Sequence, residues 1–153
     1  MGLSRAVPPQ PAGDDHPAYP GDFTGVGRID YSPEPDGDAD PGEVVWAWVP
    51  FEEDHRRGKD RPTLVIGRDG PYLLALMLTS VDHDLDEEQE ARWGRYWMDI
   101  GAGDWDGRGR PSEVRLDRVL RLDPRAVRRE GGRLDRGPFD SVAAALRQMH
   151  GWP

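Results

Sequence analysis

The chain has 153 residues and no cysteine, enough length to bury one core and no means of forming disulfides, thiolate nucleophiles or Cys-ligated zinc. Hydrophobic residues make up 36% and charged residues 32%, and no run of about 18 apolar residues occurs, so a transmembrane helix is excluded. The net charge of −9 opposes non-specific nucleic-acid binding, because phosphate affinity comes chiefly from Lys and Arg; but eight acids and two bases fall in residues 1–41, leaving −3 for residues 42–153.

Residues 1–41 are rich in Pro, Gly and Asp and show neither a helical nor a strand period. They predict a disordered acidic arm, with the folded domain at residues 42–153. Arg5 is followed by no apolar stretch leading to a small-residue cleavage site, so no secretory signal and a cytoplasmic location are expected.

The texture changes at Glu43. Val44-Val45-Trp46-Ala47-Trp48-Val49 is β-branched and aromatic and predicts a buried strand stopped by Pro50. A polar loop is expected from Phe51 to Arg61, then a strand at Thr63-Leu64-Val65-Ile66. Asp69-Gly70-Pro71 signals a hairpin into Tyr72 to Thr79, whose apolar centre predicts a central strand. Residues 82–90 are acidic and predict a short exposed helix. Tyr96 to Ile100 reads as a strand, residues 101–111 as a glycine-rich loop, and Val114 to Leu122 as one bent strand or two short ones. Phe139, Val142, Ala143, Leu146 and Met149 recur at helical spacing, with Pro138 suited to a first turn. The fold class is therefore mainly β with a C-terminal helix, a small antiparallel barrel of five or six strands packed by that helix.

Three patterns carry no site. The acids at 82–90 lack the glycine and ligand spacing of an EF-hand and read as a solvated face. Gly101-Ala102-Gly103 lacks the strand-to-helix setting of a nucleotide cradle. Trp46 and Trp48 read as core, whereas Trp93 and Trp105, beside polar segments, are the candidates for surface stacking. No metal ligands and no cofactor are expected.

The order of these pieces resembles the PemK/MazF family of toxin endoribonucleases. The carriers are Gly42-Glu43-Val44-Val45-Trp46, the stretch Gly58-Lys59-Asp60-Arg61-Pro62-Thr63-Leu64-Val65-Ile66, Leu76-Met77-Leu78-Thr79-Ser80, and Ser112 to Val119 continuing into Leu122-Asp123. The first loop departs from the family: Glu52-Glu53-Asp54-His55-Arg56-Arg57 stands where a Ser-Glu-Gln run is common. The resemblance implies an SH3-like (CcdB-like) barrel that forms a homodimer, binds single-stranded RNA and is inhibited by an antitoxin protein, with Arg61 and Thr79 as catalytic pair.

Metal-free RNA cleavage, by attack of the 2′-hydroxyl on the adjacent phosphate, needs a cation for the developing charge and groups that move protons. Arg61 can grip two phosphate oxygens in a fixed fork. Residue type alone favours a solvent-facing arginine, and the resemblance reverses that reading. Thr79 could present its hydroxyl to a phosphate, or serve only as a strand-end residue. His55 and His83 are the candidate proton carriers, each otherwise a surface histidine; His16 and His150 receive no role. Arg56, Arg57, Lys59 and Ser80 are the candidate RNA-binding residues. The competing reading is a catalytically inactive barrel that binds RNA or a peptide in the same groove.

Overall fold

The computed structural model of the chain describes residues 18–34, 38–80 and 96–153. The described residues hold seven strands and one α-helix: β1 (Glu43–Pro50), β2 (Gly58–Asp69), β3 (Tyr72–Ser80), β4 (Trp97–Gly101), β5 (Ser112–Arg115), β6 (Leu120–Leu122), β7 (Val127–Arg133) and α1 (Arg136–His150). The strands form one antiparallel sheet in the order β4-β5-β3-β2-β1-β7, with β6 pairing to β3 off that path. The sheet curls into a half-barrel around the helix, the fold class that the sequence predicts.

The unbroken apolar runs of β1, β2 and β3 have a direct cause: these strands are buried on both faces. Successive side chains of a strand point to opposite faces, and here each face has its own core. Val44, Leu64, Ile66, Leu74, Leu76 and Leu78 pack towards Phe139, Val142 and Leu146 of α1. Their neighbours Val45, Ala47, Val49, Val65, Ala75 and Met77 join Leu120 and Leu122 of β6 in a second cluster. The helix stripe ends at Leu146, since Met149 is exposed. Gly151 at φ 73° closes the helix, donating its N–H to the Arg147 carbonyl at 2.9 Å, the left-handed cap that glycine adopts without strain.

Two boundaries differ from expectation. β2 begins at Gly58 rather than Thr63, because residues 58–62 already pair with β1 in the register Pro50↔Gly58 to Trp46↔Pro62. β7 has no counterpart among the expected strands: its sequence, VRREGGR, lacks apolar alternation, and β1 recruits it as an edge partner through two register shifts.

The disordered arm expected over residues 1–41 does not describe residues 18–34 and 38–41, so the folded unit extends N-terminally past residue 42. Phe23, Ile29 and Tyr31 pack against the helix-side core. The Phe23 N–H donates to the Val119 carbonyl at 2.8 Å and the Asp30 N–H to the Ile66 carbonyl at 2.9 Å. Tyr31 packs on Phe139 at 4.9 Å between ring centroids and donates its hydroxyl to the Leu134 carbonyl at 2.8 Å. Trp152 meets Phe23 edge to face and donates Nε1–H to the Gly25 carbonyl at 3.2 Å. Three scattered apolar residues supply what a periodic segment would otherwise provide. The remainder of the expected arm, the acidic helix at 82–90, His83 and Trp93 lie outside the described residues. No helix among the described residues is long and apolar enough to cross a membrane.

This segment crosses β2 at Gly67, where a Cβ would collide with the Arg28 carbonyl oxygen. Gly67→Ala is therefore expected to cost about 1–3 kcal/mol, the scale of overpacking a tight site, and to speed hydrogen exchange at the Asp30 amide. An unchanged Asp30 exchange rate would show that the segment does not depend on this crossing.

Candidate functional site

β2 and β3 run out of apolar residues at the same end of the sheet. Their register pairs Thr63 with Met77; two residues further along each strand stand Arg61 and Thr79. Arg61 is also paired with Ala47 of β1, and Thr79 with Glu113 of β5. Both residues line one cavity of about 490 Å³, where Lys59 and Ser80 join them. Four of the sequence-predicted site residues are thus brought together.

Arg61 is half-buried, and among the described residues no hydrogen bond or ion pair holds its guanidinium. Burial lowers its pKa, with the nearby charge of Arg118 a second cause; an arginine starts so far above neutrality that it stays charged. A partly desolvated cation that no described residue pairs is prepared to meet an anion.

The glycine-rich loop after β4 supplies more of the wall than the sequence suggests. Asp106 accepts the Arg108 N–H at 2.8 Å and Arg110 Nε–H at 2.9 Å, a turn that brings Arg108 and Arg110 to the cavity. The lining then holds four cations (Lys59, Arg61, Arg108 and Arg110) against Asp60 and Asp106, in a chain of net charge −9. The only sequence signal for this is the alternation of Asp and Arg between the glycines.

The tryptophans exchange their expected roles. Trp105 is 4% exposed and donates Nε1–H to Ser112 Oγ at 3.0 Å. Trp46, expected in the core, is half-buried, lines the cavity, and donates Nε1–H to the Trp105 carbonyl at 3.1 Å. β1 is flanked at Trp46 by Pro62 of β2 and Arg129 of β7, and the glycine-rich loop reaches the indole through the Trp105 carbonyl.

The other predicted residues stand elsewhere. His55 is exposed in the first loop, with its ring edge-on to Tyr19 at 5.0 Å, and does not line the cavity. Arg56 is ion-paired to Asp54 at 3.1 Å with 90% of its side chain exposed, and Arg57 lies over the Phe51 ring at 5.7 Å; neither lines the cavity. From β5, Arg115 is clamped by Asp117 at 2.7 Å and by Glu52 at 2.9 Å, which raises its pKa further, hydrogen bonding to Asp117 being the largest cause. Among the described residues, no group of three or more His, Cys, Asp or Glu gathers as a metal-ligand set.

Comparison with known proteins agrees with this architecture. A family profile described as "PemK-like, MazF-like toxin of type II toxin-antitoxin system" matches residues 40–150. A search of curated proteins returns no match. Among solved structures, an endoribonuclease in complex with its cognate antitoxin from a mycobacterial species superimposes with a TM-score of 0.52 at 15% identity, over 74% of this chain and 95% of that one. A MazE–MazF complex from Deinococcus radiodurans gives 0.52 at 18% identity, over 77% and 100%. MazF alone from that organism gives 0.51 at 20% identity, over 76% and 99%. At these identities the structural likeness shows the fold. The profile covers most of the chain, and the chain belongs to the PemK-like, MazF-like toxins of type II toxin–antitoxin systems.

Ser112 anchors the loop that carries Arg108 and Arg110. Ser112→Ala leaves the buried Trp105 Nε1–H without its acceptor and should cost about 1–3 kcal/mol in urea denaturation. An unchanged midpoint would show that the loop is held by other contacts.

Proposed function

We propose that this chain is a metal-independent endoribonuclease that cuts single-stranded RNA, messenger RNA in the cell. The observation that carries the reading is that Arg61, whose guanidinium no described residue pairs, and Thr79 line one cation-rich cavity. The 2′-oxygen of the substrate attacks the adjacent phosphorus, the bond from phosphorus to the 5′-oxygen breaks, and the products are a 2′,3′-cyclic phosphate and a 5′-hydroxyl. The 2′-hydroxyl loses a proton and the leaving oxygen gains one. Arg61 donates to the non-bridging oxygens as charge builds on them, and Thr79 donates its hydroxyl to orient the same phosphate. Lys59, Arg108 and Arg110 hold flanking backbone, and the exposed part of Trp46 offers a face to a base. His83, three residues beyond Ser80 in sequence, is the imidazole assigned to proton transfer. The family also supports a homodimer and an antitoxin protein that blocks the cavity.

A second reading has one observation in its favour. Among the described residues no imidazole lines the cavity, which suits a catalytically inactive barrel that binds RNA or a peptide there.

Purified protein is expected to cut single-stranded RNA in EDTA and to leave a 2′,3′-cyclic phosphate, while RNA carrying a 2′-deoxy sugar at the cut site resists. Arg61→Ala should lower the rate by about 10²–10³, as loss of one preorganised oxyanion donor does, and Thr79→Val should slow cleavage without unfolding. His83→Gln should flatten one limb of the pH–rate profile, and His55→Gln should leave it in place. Metal-dependent cutting, or full activity in Arg61→Ala, would contradict the mechanism, and no cutting of any RNA by folded protein would favour the binding barrel. Light scattering should give twice the 17.2 kDa chain mass; a monomer at micromolar concentration would remove the dimer.

A further inference from the structure

Arg61 also lines a second, smaller pocket of about 150 Å³, together with Met77, Arg115 and Arg118 and the first-loop acids Glu52 and Glu53. That volume is below the roughly 300 Å³ at which pockets for drug-sized ligands begin, so it suits one anionic group rather than a nucleoside. Three arginines meet there, and their donors are not all used.

Arg118 is the informative residue. Its side chain is 3% exposed, and its Nε–H donates to Asp22 Oδ2 at 3.0 Å. Its Nη2 is buried and has no partner among the described residues. Buried polar groups are nearly always hydrogen-bonded, and a water or an ion is one partner that an orphaned donor can take. Arg115 gives Nη2–H to Glu52 at 2.9 Å and to Asp117 at 3.1 Å. The Glu52 side chain is 55% exposed, so a carboxylate from the chain itself occupies the pocket through a pair that water screens and that opens at little cost. Glu53 faces the same pocket, while Asp22 and Asp117 hold Arg118 and Arg115.

We propose that this pocket is a second phosphate subsite, which takes the phosphodiester next to the one at Arg61 and Thr79. The RNA assignment rests on the cleavage reading above; the anion site itself does not. The incoming phosphate displaces Glu52 from Arg115 and satisfies Arg118 Nη2. Arg61, as a wall of both pockets, ties the two subsites together. Two neighbouring phosphates held at once fix the ribose between or beside them, and so restrict the 2′-oxygen to fewer approaches to the phosphorus.

The test uses the full chain and two probes, inorganic phosphate and a single-stranded RNA with a 2′-deoxy sugar at the cut site. Inorganic phosphate should shift the arginine Nε–Hε resonances of Arg118 and Arg61 along saturable curves. The double variant Arg118→Met with Asp22→Asn removes both charges of the buried pair and leaves no carboxylate stranded. It should bind phosphate about tenfold or more weakly, the scale of one hydrogen bond to a charged group. In the RNA arm, each phosphodiester flanking the uncut site is replaced in turn by a neutral methylphosphonate. One of the two replacements should weaken binding to the wild-type chain about tenfold and leave binding to the double variant unchanged. Phosphate that moves Arg61 but not Arg118 would overturn the anion site. Equal methylphosphonate losses in both proteins, or none in either, would overturn the RNA assignment. Neither arm reads cleavage, so the anion site stands or falls even in a protein that cuts nothing.

Discussion

Burial of β1, β2 and β3 on both faces is the constraint from which the rest of the molecule follows. With a core on each side, a slip of one residue would exchange the two sets of side chains between cavities shaped for different residues. Val65 would be driven towards the helix and Leu64 and Ile66 towards β6. The register between β2 and β3 is therefore fixed from Asp69↔Tyr72 to Thr63↔Met77, and the ends where apolar residues stop lie just beyond that stretch. Arg61 and Thr79 stand in the same wall because Thr63 and Met77 are locked together two residues away. The site's geometry derives from the core, with no need for contacts between the two residues themselves.

The charge distribution follows a similar logic. The chain is acidic overall, and many of its carboxylates are engaged with arginines: Asp54 with Arg56, Asp106 with Arg110, Asp117 and Glu52 with Arg115, Asp22 with Arg118, Asp123 with Arg125. Arg61 stands apart from these pairs. The charge that acts on its guanidinium is another cation, Arg118. Partly removing a cation from water is costly when no described residue pairs it, and an anion in the cavity would offset that cost.

Much of this is legible in the sequence, and what is not has physical reasons. The three central strands announce themselves because double-sided burial makes them continuously apolar, and the C-terminal helix because one stripe of it is buried. Arg61 and Thr79 are legible only through the order of those strands and the family resemblance. The N-terminal segment reads as disordered because it contributes Phe23, Ile29 and Tyr31 singly, from an irregular chain, and anchors them with backbone hydrogen bonds that leave no periodic trace. Trp46 and Trp105 exchange roles because the exposure of a strand residue depends on which loop folds over its face of the sheet. Arg118 looks like one more surface arginine; its burial is produced by Asp22, 96 positions earlier in the chain. His55 follows its loop, and that loop leans on Tyr19 rather than on the cavity.

The central claim is that the register of the core makes Arg61 and Thr79 act on a single phosphate. A double-mutant cycle on the rate of RNA cleavage in EDTA tests it most directly. Residues that act as a unit are non-additive, so Arg61→Ala combined with Thr79→Val should be little slower than Arg61→Ala alone. Multiplication of the two single effects, with both variants folded, would show that the residues serve separate steps and would contradict the account.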